Sequence, residues 1–154
     1  MSRDRSATID HYRAGMDAFA AAAADITERE LDARSAPDEW TPREIIHHLA
    51  DAELRSTVRL RQLIAEDAPV IQGYDEDLYT RRLPQARSVA ISLDAVRVAR
   101  ASNLELLAQL AEGDWLRSGT HTDSGPYSIE TWLEIYTAHA HDHAEQLARA
   151  RAAT

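Results

Sequence analysis

Seven histidines stand in a chain of 154 residues that contains no cysteine. The missing thiol excludes a cysteine nucleophile, an iron–sulfur cluster and a thiolate zinc site. Lysine is absent too, so no Schiff-base or P-loop lysine can act. What chemistry remains falls to imidazoles, carboxylates and arginines. His139 and His143 are four residues apart. On a helix, that spacing lets two rings reach one point above the same face. A third imidazole from a facing helix, His48, would complete a three-histidine set. Such a set leaves positions open for water or substrate, which is the catalytic rather than the closed structural pattern. The plain alternative is three core histidines satisfied by hydrogen bonds.

Four helices must position these groups. The first covers about Ser6 to Asp25, with Ile9, Tyr12, Met16, Phe19, Ala20 and Ala23 at helical spacing. The second opens with Thr41 as N-cap, Pro42 at the first helical position and Glu44 closing a capping box, and Trp40 and Ile45 can staple across it. It runs to about Glu66 and buries Ile45, Leu49, Ala52, Ser56, Leu60 and Leu63. The third covers about Ser92 to Ala111 through Val96, Ala99, Leu107 and Leu110. The fourth starts from an N-cap Ser128 and runs to about Ala150 through Ile129, Trp132, Tyr136, Ala140 and Leu147. Each residue advances about 100° around a helix, so His139 and His143 fall within about 60° of Tyr136, and His48 within about 60° of Ile45. His47 and His141 fall on the opposite sides and are expected to face solvent, and His11 reads as surface.

Helices so patterned bury their stripes against one another, so the expected fold is an all-α four-helix bundle in one domain spanning 1–154. The connections are long for a minimal bundle and should cross its end or carry function. Val70-Ile71 and Val89-Ala90-Ile91 are the only strand-like runs and look too short to build a sheet. The net charge is -9, which disfavours nucleic acid and anionic lipid as partners. No apolar run approaches a membrane span, and no signal peptide opens the chain. A cytoplasmic protein acting on a small molecule is the expectation.

Polar residues on the apolar faces are candidates for the surroundings of the site. Arg59, flanked by Arg55, lies on the inner side of the second helix, and Arg100 and Asn103 on that of the third. Structural ion pairing is the bland reading, with Glu53 or Asp51 as partners. The functional one is a clamp for an anionic substrate. Gln146 lies one turn from His143 and could orient it. Asp51, Glu53 or an acid in the long loop could accept a proton, and none can be assigned. His121 and Asp123 belong to the loop before the fourth helix. A ferritin-like di-iron site needs two Glu-x-x-His motifs; Glu44-Ile45-Ile46-His47 is the sole instance.

The stretch Trp40-Thr41-Pro42-Arg43-Glu44-Ile45-Ile46-His47-His48-Leu49-Ala50-Asp51-Ala52-Glu53 resembles the motif that opens the second helix of the DinB/YfiT-like superfamily. His139-Ala140-His141-Asp142-His143-Ala144-Glu145-Gln146 resembles its second motif. The resemblance extends over nearly the whole chain, including Gly73-Tyr74-Asp75 and Asp114-Trp115. It implies up-down-down-up topology, a homodimer, and a divalent metal, Zn or Ni, on His48, His139 and His143. Characterised relatives include thiol-dependent S-transferases and a mycothiol-dependent maleylpyruvate isomerase. The favoured expectation is therefore a metal-dependent transferase using a low-molecular-weight thiol cosubstrate. The alternatives are a hydrolase using metal-bound hydroxide, or a non-catalytic metal- or small-molecule-binding stress protein.

Overall fold

The computed structural model describes residues 3–153. Four long helices form the bundle: α1 (Arg3–Ala23), α3 (Pro42–Ala65), α5 (Val89–Leu107) and α6 (Ile129–Ala152). Two short helices lie in the connections, α2 (Glu28–Leu31) and α4 (Glu76–Arg82). The strands β1 (Val70–Ile71), β2 (Ser118–His121) and β3 (Gly125–Ser128) make a small sheet at one end.

Side-chain contacts fix the helix directions. Arg5 bonds to Glu130 near the start of α6, and Arg151 near its end bonds to the carbonyl of Ala22, so α1 and α6 run parallel. His47 meets Ser92 and Arg61 meets Ser102, so α3 and α5 also run parallel. Trp132 Nε1 donates to Ser56 O, while His139, a turn or two later on α6, meets His48, earlier on α3. Those two helices are therefore antiparallel. The order is up-down-down-up, and the parallel α3–α5 step requires a crossover along the length of the bundle. Residues 66–88 make it, carrying β1 and α4.

The helix starts follow the sequence. Thr41 Oγ1 accepts from the Glu44 amide while the Glu44 carboxylate accepts from the Thr41 amide, with Pro42 next in line. Ser128 caps α6 through the Thr131 amide. Ser88 caps α5, so Val89-Ala90-Ile91 form its first turn instead of a strand, and α5 ends at Leu107 rather than Ala111.

The core has two apolar halves. One gathers Tyr12, Leu60, Trp132 and Tyr136, the other Phe19, Ile45, Leu49 and Leu147. Burying each large side chain contributes about 1.5–3 kcal/mol. Between them lies a polar layer in which Glu53, Ser56, Arg100 and Asn103 are fully buried. Arg100 Nε donates to Glu53 Oε1 at 3.0 Å, and its other nitrogens donate to the carbonyls of Tyr12 and Tyr136. This is the structural ion pair expected for Arg100.

The sheet departs from the expectation. Val70-Ile71 does form a strand, parallel to β2, which pairs antiparallel with β3. Two residues suffice because β2 supplies the partner from the α5–α6 connection. Gly119 permits the approach: a Cβ there would lie 2.2 Å from the Pro69 carbonyl oxygen. Among the described residues, no helix is long and apolar enough to cross a membrane.

Candidate metal centre

α3 and α6 bring His48, His139 and His143 together, with one ring nitrogen of each within 4.8 Å of the others. Nε2 of His139 lies 3.1 Å from Nε2 of His143 and 3.4 Å from Nε2 of His48. Two nitrogens each about 2.1 Å from one ion lie about 3.0 Å apart at a right angle and about 3.4 Å apart at a tetrahedral angle. These two separations match edges of such a polyhedron, and the third pair lies within 4.8 Å.

The protonation pattern fits a cation as well. His143 Nδ1–H donates to Gln146 Oε1 at 2.7 Å, so its Nε2 turns a lone pair toward His139. A neutral His139 can turn its one Nε2–H toward only one of its two neighbours, His143 and His48, whereas a cation can serve all three rings. Burial disfavours the imidazolium form: it pushes His48 down to about 3 and His139 to about 2, helped by the neighbouring imidazoles, so the rings are neutral at pH 7. Burial also lowers His143, against the opposing effect of Gln146. His139 Nδ1 is buried with no hydrogen-bond partner. Three neutral imidazoles in this arrangement suit a divalent ion such as zinc or nickel.

Trp40, just before the α3 cap, closes one side. Its ring lies 4.7 Å from that of His48 and stacks near His143 at 6.3 Å. A cleft of about 490 Å³ opens there, bordered by Trp40, His143, Gln146 and Arg149. On the crossover side, Glu76 at the start of α4 places Oε2 3.9 Å from His48 Nε2. Its side chain is half exposed, and partial burial followed by the charge of Asp77 raises its pKa. The sequence offers Asp51, Glu53 or an unnamed acid in the long loop for a proton acceptor, and does not single out Glu76. Glu76 has the N-cap Asp75 before it, which was the one local sign of a helix start.

The other candidates disperse. Asp51 holds Arg87 through two bonds of 2.9 and 3.0 Å and pins the crossover. Glu53 is spent on Arg100. Neither faces the histidines through a hydrogen bond. Arg59 takes neither acid: it donates to Tyr136 Oη at 3.0 Å and to the Gln72 carbonyl at 2.6 Å. Gln146 does contact His143. Arg55 lies over the Tyr74 ring at 4.1 Å. His121 packs its ring 5.4 Å from Tyr127, and Asp123 follows it in the hairpin turn.

Two outward assignments change. His47 is 1% exposed, with Nδ1 2.8 Å from Ser92 Oγ and Nε2 3.2 Å from the Gln85 carbonyl. The crossover and α5 cover the side of α3 that the helical phase left to solvent. Both nitrogens are occupied, so it still offers nothing to a di-iron site. His141 is half-buried, its ring 4.0 Å from that of His11.

The DinB superfamily model matches residues 11–147. The chain belongs to the DinB superfamily. The OB0782 protein of Oceanobacillus iheyensis is 35% identical over 123 residues, spanning 77% of this chain and 69% of its own. YfiT of Bacillus subtilis is 28% identical over 120 residues, spanning 77% and 67%. Both carry names that describe a metal-dependent hydrolase. The solved structure of YfiT, described as an unusual four-helix bundle topology, superposes with a TM-score of 0.88 over 97% of this chain and 87% of that one, at 24% identity. These names side with the hydrolase alternative and lend no support to the thiol transferase.

Proposed function

We propose that this DinB-superfamily chain is a metal-dependent hydrolase acting on a small molecule. The observation that carries the reading is the convergence of three Nε2 atoms beside a half-exposed carboxylate, Glu76. His48, His139 and His143 would hold a divalent ion, which when bound supplies Lewis acidity to a substrate oxygen and lowers the pKa of water. Gln146 keeps His143 in the tautomer that offers Nε2. Trp40 packs against the His48 ring and forms one wall of the cleft beside His143. Glu76 is the group placed to accept a proton from a nucleophile entering from the crossover. The relatives' names support hydrolysis over thiol transfer.

The test is elemental analysis of protein purified without chelator or affinity tag, then a panel of carboxylic esters, amides and phosphate esters. The reading expects about one zinc or nickel per chain and hydrolysis that stops in the Glu76→Gln and His139→Ala variants. Turnover that appears only when a thiol is added would overturn it in favour of the transferase.

A further inference from the structure

Arg59 is a buried cation bonded only to neutral groups. It is 9% exposed, and its two bonds go to a phenol and a peptide carbonyl. A guanidinium has five N–H donors, so three remain free, and Nε is buried without a partner. The two nearest acids along α3 are taken: Asp51 by Arg87 and Glu53 by Arg100. No ion pair involves Arg59 among the described residues. The Tyr74 hydroxyl is also buried and unpaired, and that of Tyr127 is buried with no hydrogen bond of ordinary geometry, Arg59 being the donor close enough to act on it. Both lie within the electrostatic reach of Arg59, whose Cζ is 5.9 Å from the Tyr74 ring centre.

This cluster adjoins the histidines. Tyr136, which accepts from Arg59, is three residues before His139, and their ring centres are 6.1 Å apart. Glu76 lies between, 3.9 Å from His48 Nε2 and within the field of Arg59. A desolvated cation with free donors beside buried phenols is a costly arrangement to keep in a core. The cost is recovered if an anion completes it.

We propose that Arg59, with the hydroxyls of Tyr74 and Tyr127, forms a carboxylate-binding subsite. It would hold one end of a small carboxylate-bearing substrate while the bond to be cut lies toward His48, His139 and His143. The planar guanidinium fork matches two carboxylate oxygens, and the phenols add two donors. Arg55, over the Tyr74 ring at 4.1 Å, adds a second positive charge at the rim of the subsite. The role at the histidines rests on the hydrolase reading, whereas the anion site stands apart from it.

The probe is benzoate, with benzyl alcohol as its uncharged counterpart. Each is titrated calorimetrically into the full chain, with and without Zn²⁺. Benzoate should bind the metal-free chain at least tenfold more tightly than the alcohol. Arg59→Gln should weaken benzoate tenfold or more, and Tyr127→Phe and Tyr74→Phe several-fold each. Zn²⁺ affinity and far-ultraviolet circular dichroism should stay at wild-type levels. If Arg59→Gln fails to fold, the two phenylalanine variants carry the test, because each removes one hydroxyl and keeps the buried ring. Benzoate binding unchanged in the folded variants would overturn the subsite. So would binding that requires Zn²⁺ and vanishes in His139→Ala, since the anion would then be on the metal. Benzoate binding that follows Arg59 in a chain that takes up no Zn²⁺ would support the subsite and sink the hydrolase.

Discussion

Gln146 Oε1 accepts from His143 Nδ1–H across 2.7 Å, one turn along the same helix. A single amide therefore decides which nitrogen of His143 is free to bind. Removing it frees the ring to adopt the other tautomer. Gln146→Leu should lower Zn²⁺ affinity about 10–100-fold, the range for partners that orient a ligand. Gln146→Glu keeps the acceptor and should retain affinity. A chelator competition titration measures both, and equal affinity in the leucine variant would refute the orienting role.

The histidines were legible because helical phase is local. His139 and His143 share a face through their spacing alone, and His48 shares one with Leu49 and Ile45. The cap at Thr41 was readable for the same reason. Glu76 was not, because its place depends on how a 23-residue crossover folds back over α3. Nor was the sheet: Val70 pairs with Thr120, fifty residues away. His47 was misread because helical phase names the side opposite the core, not what covers that side. Residues 45–50 are all buried, since α3 has neighbours all round it at that level.

Metal should depend on three histidines, and His47 should matter for stability alone. His48→Ala, His139→Ala and His143→Ala should each abolish stoichiometric Zn²⁺ binding. His47→Ala should keep the metal and cost about 1–3 kcal/mol, because Ser92 Oγ and the Gln85 carbonyl lose a buried partner. His141→Ala should change neither by much. Zinc titration and urea unfolding of the same five variants separate the two roles.

Removing the metal should leave the bundle standing. The two apolar halves and the buried Arg100–Glu53 pair involve none of the three histidines. A ligand that binds only the folded chain adds about 2.7 kcal/mol at a hundredfold excess over its Kd. The metal-free protein should keep its helical circular dichroism and melt several degrees lower. Loss of helicity on chelation would make the centre structural.

Acid should loosen the tie between α2 and the end of α6. Glu30 accepts from the Thr27 amide and hydroxyl, each at 2.7 Å, and from Arg151 at 3.1 Å. These bonds, the Thr27 amide foremost, lower its pKa from 4.5 to about 2. A carboxylate with a depressed folded pKa stabilises fully above its unfolded value and loses that contribution as pH falls. The Tm gap between wild type and Glu30→Gln should therefore be widest above about pH 5 and shrink between pH 4.5 and 2. A gap independent of pH would show that the charge contributes nothing.

The largest single loss of stability should come from Glu53. Glu53 and Arg100 are both fully buried, 2.9 Å apart, so neither can turn to water. A buried pair gains little over an apolar pair of the same shape, but removing one partner strands the other charge, at about 3–5 kcal/mol. Glu53→Ala leaves the Arg100 guanidinium with neutral partners alone, the carbonyls of Tyr12 and Tyr136 and the face of the Tyr12 ring. Those carbonyls sit on α1 and α6, and Tyr136 is three residues before His139. The replacement should thus loosen α6 where it carries the site, and Zn²⁺ should restore part of the lost Tm. Replacing Glu53 and Arg100 together with Leu and Met should recover much of the loss, because the stranded charge is gone. Urea unfolding of Glu53→Leu, Arg100→Met and the double variant closes a mutant cycle. A single-variant cost below about 1 kcal/mol would mean that water reaches Arg100 and that the polar layer is not sealed.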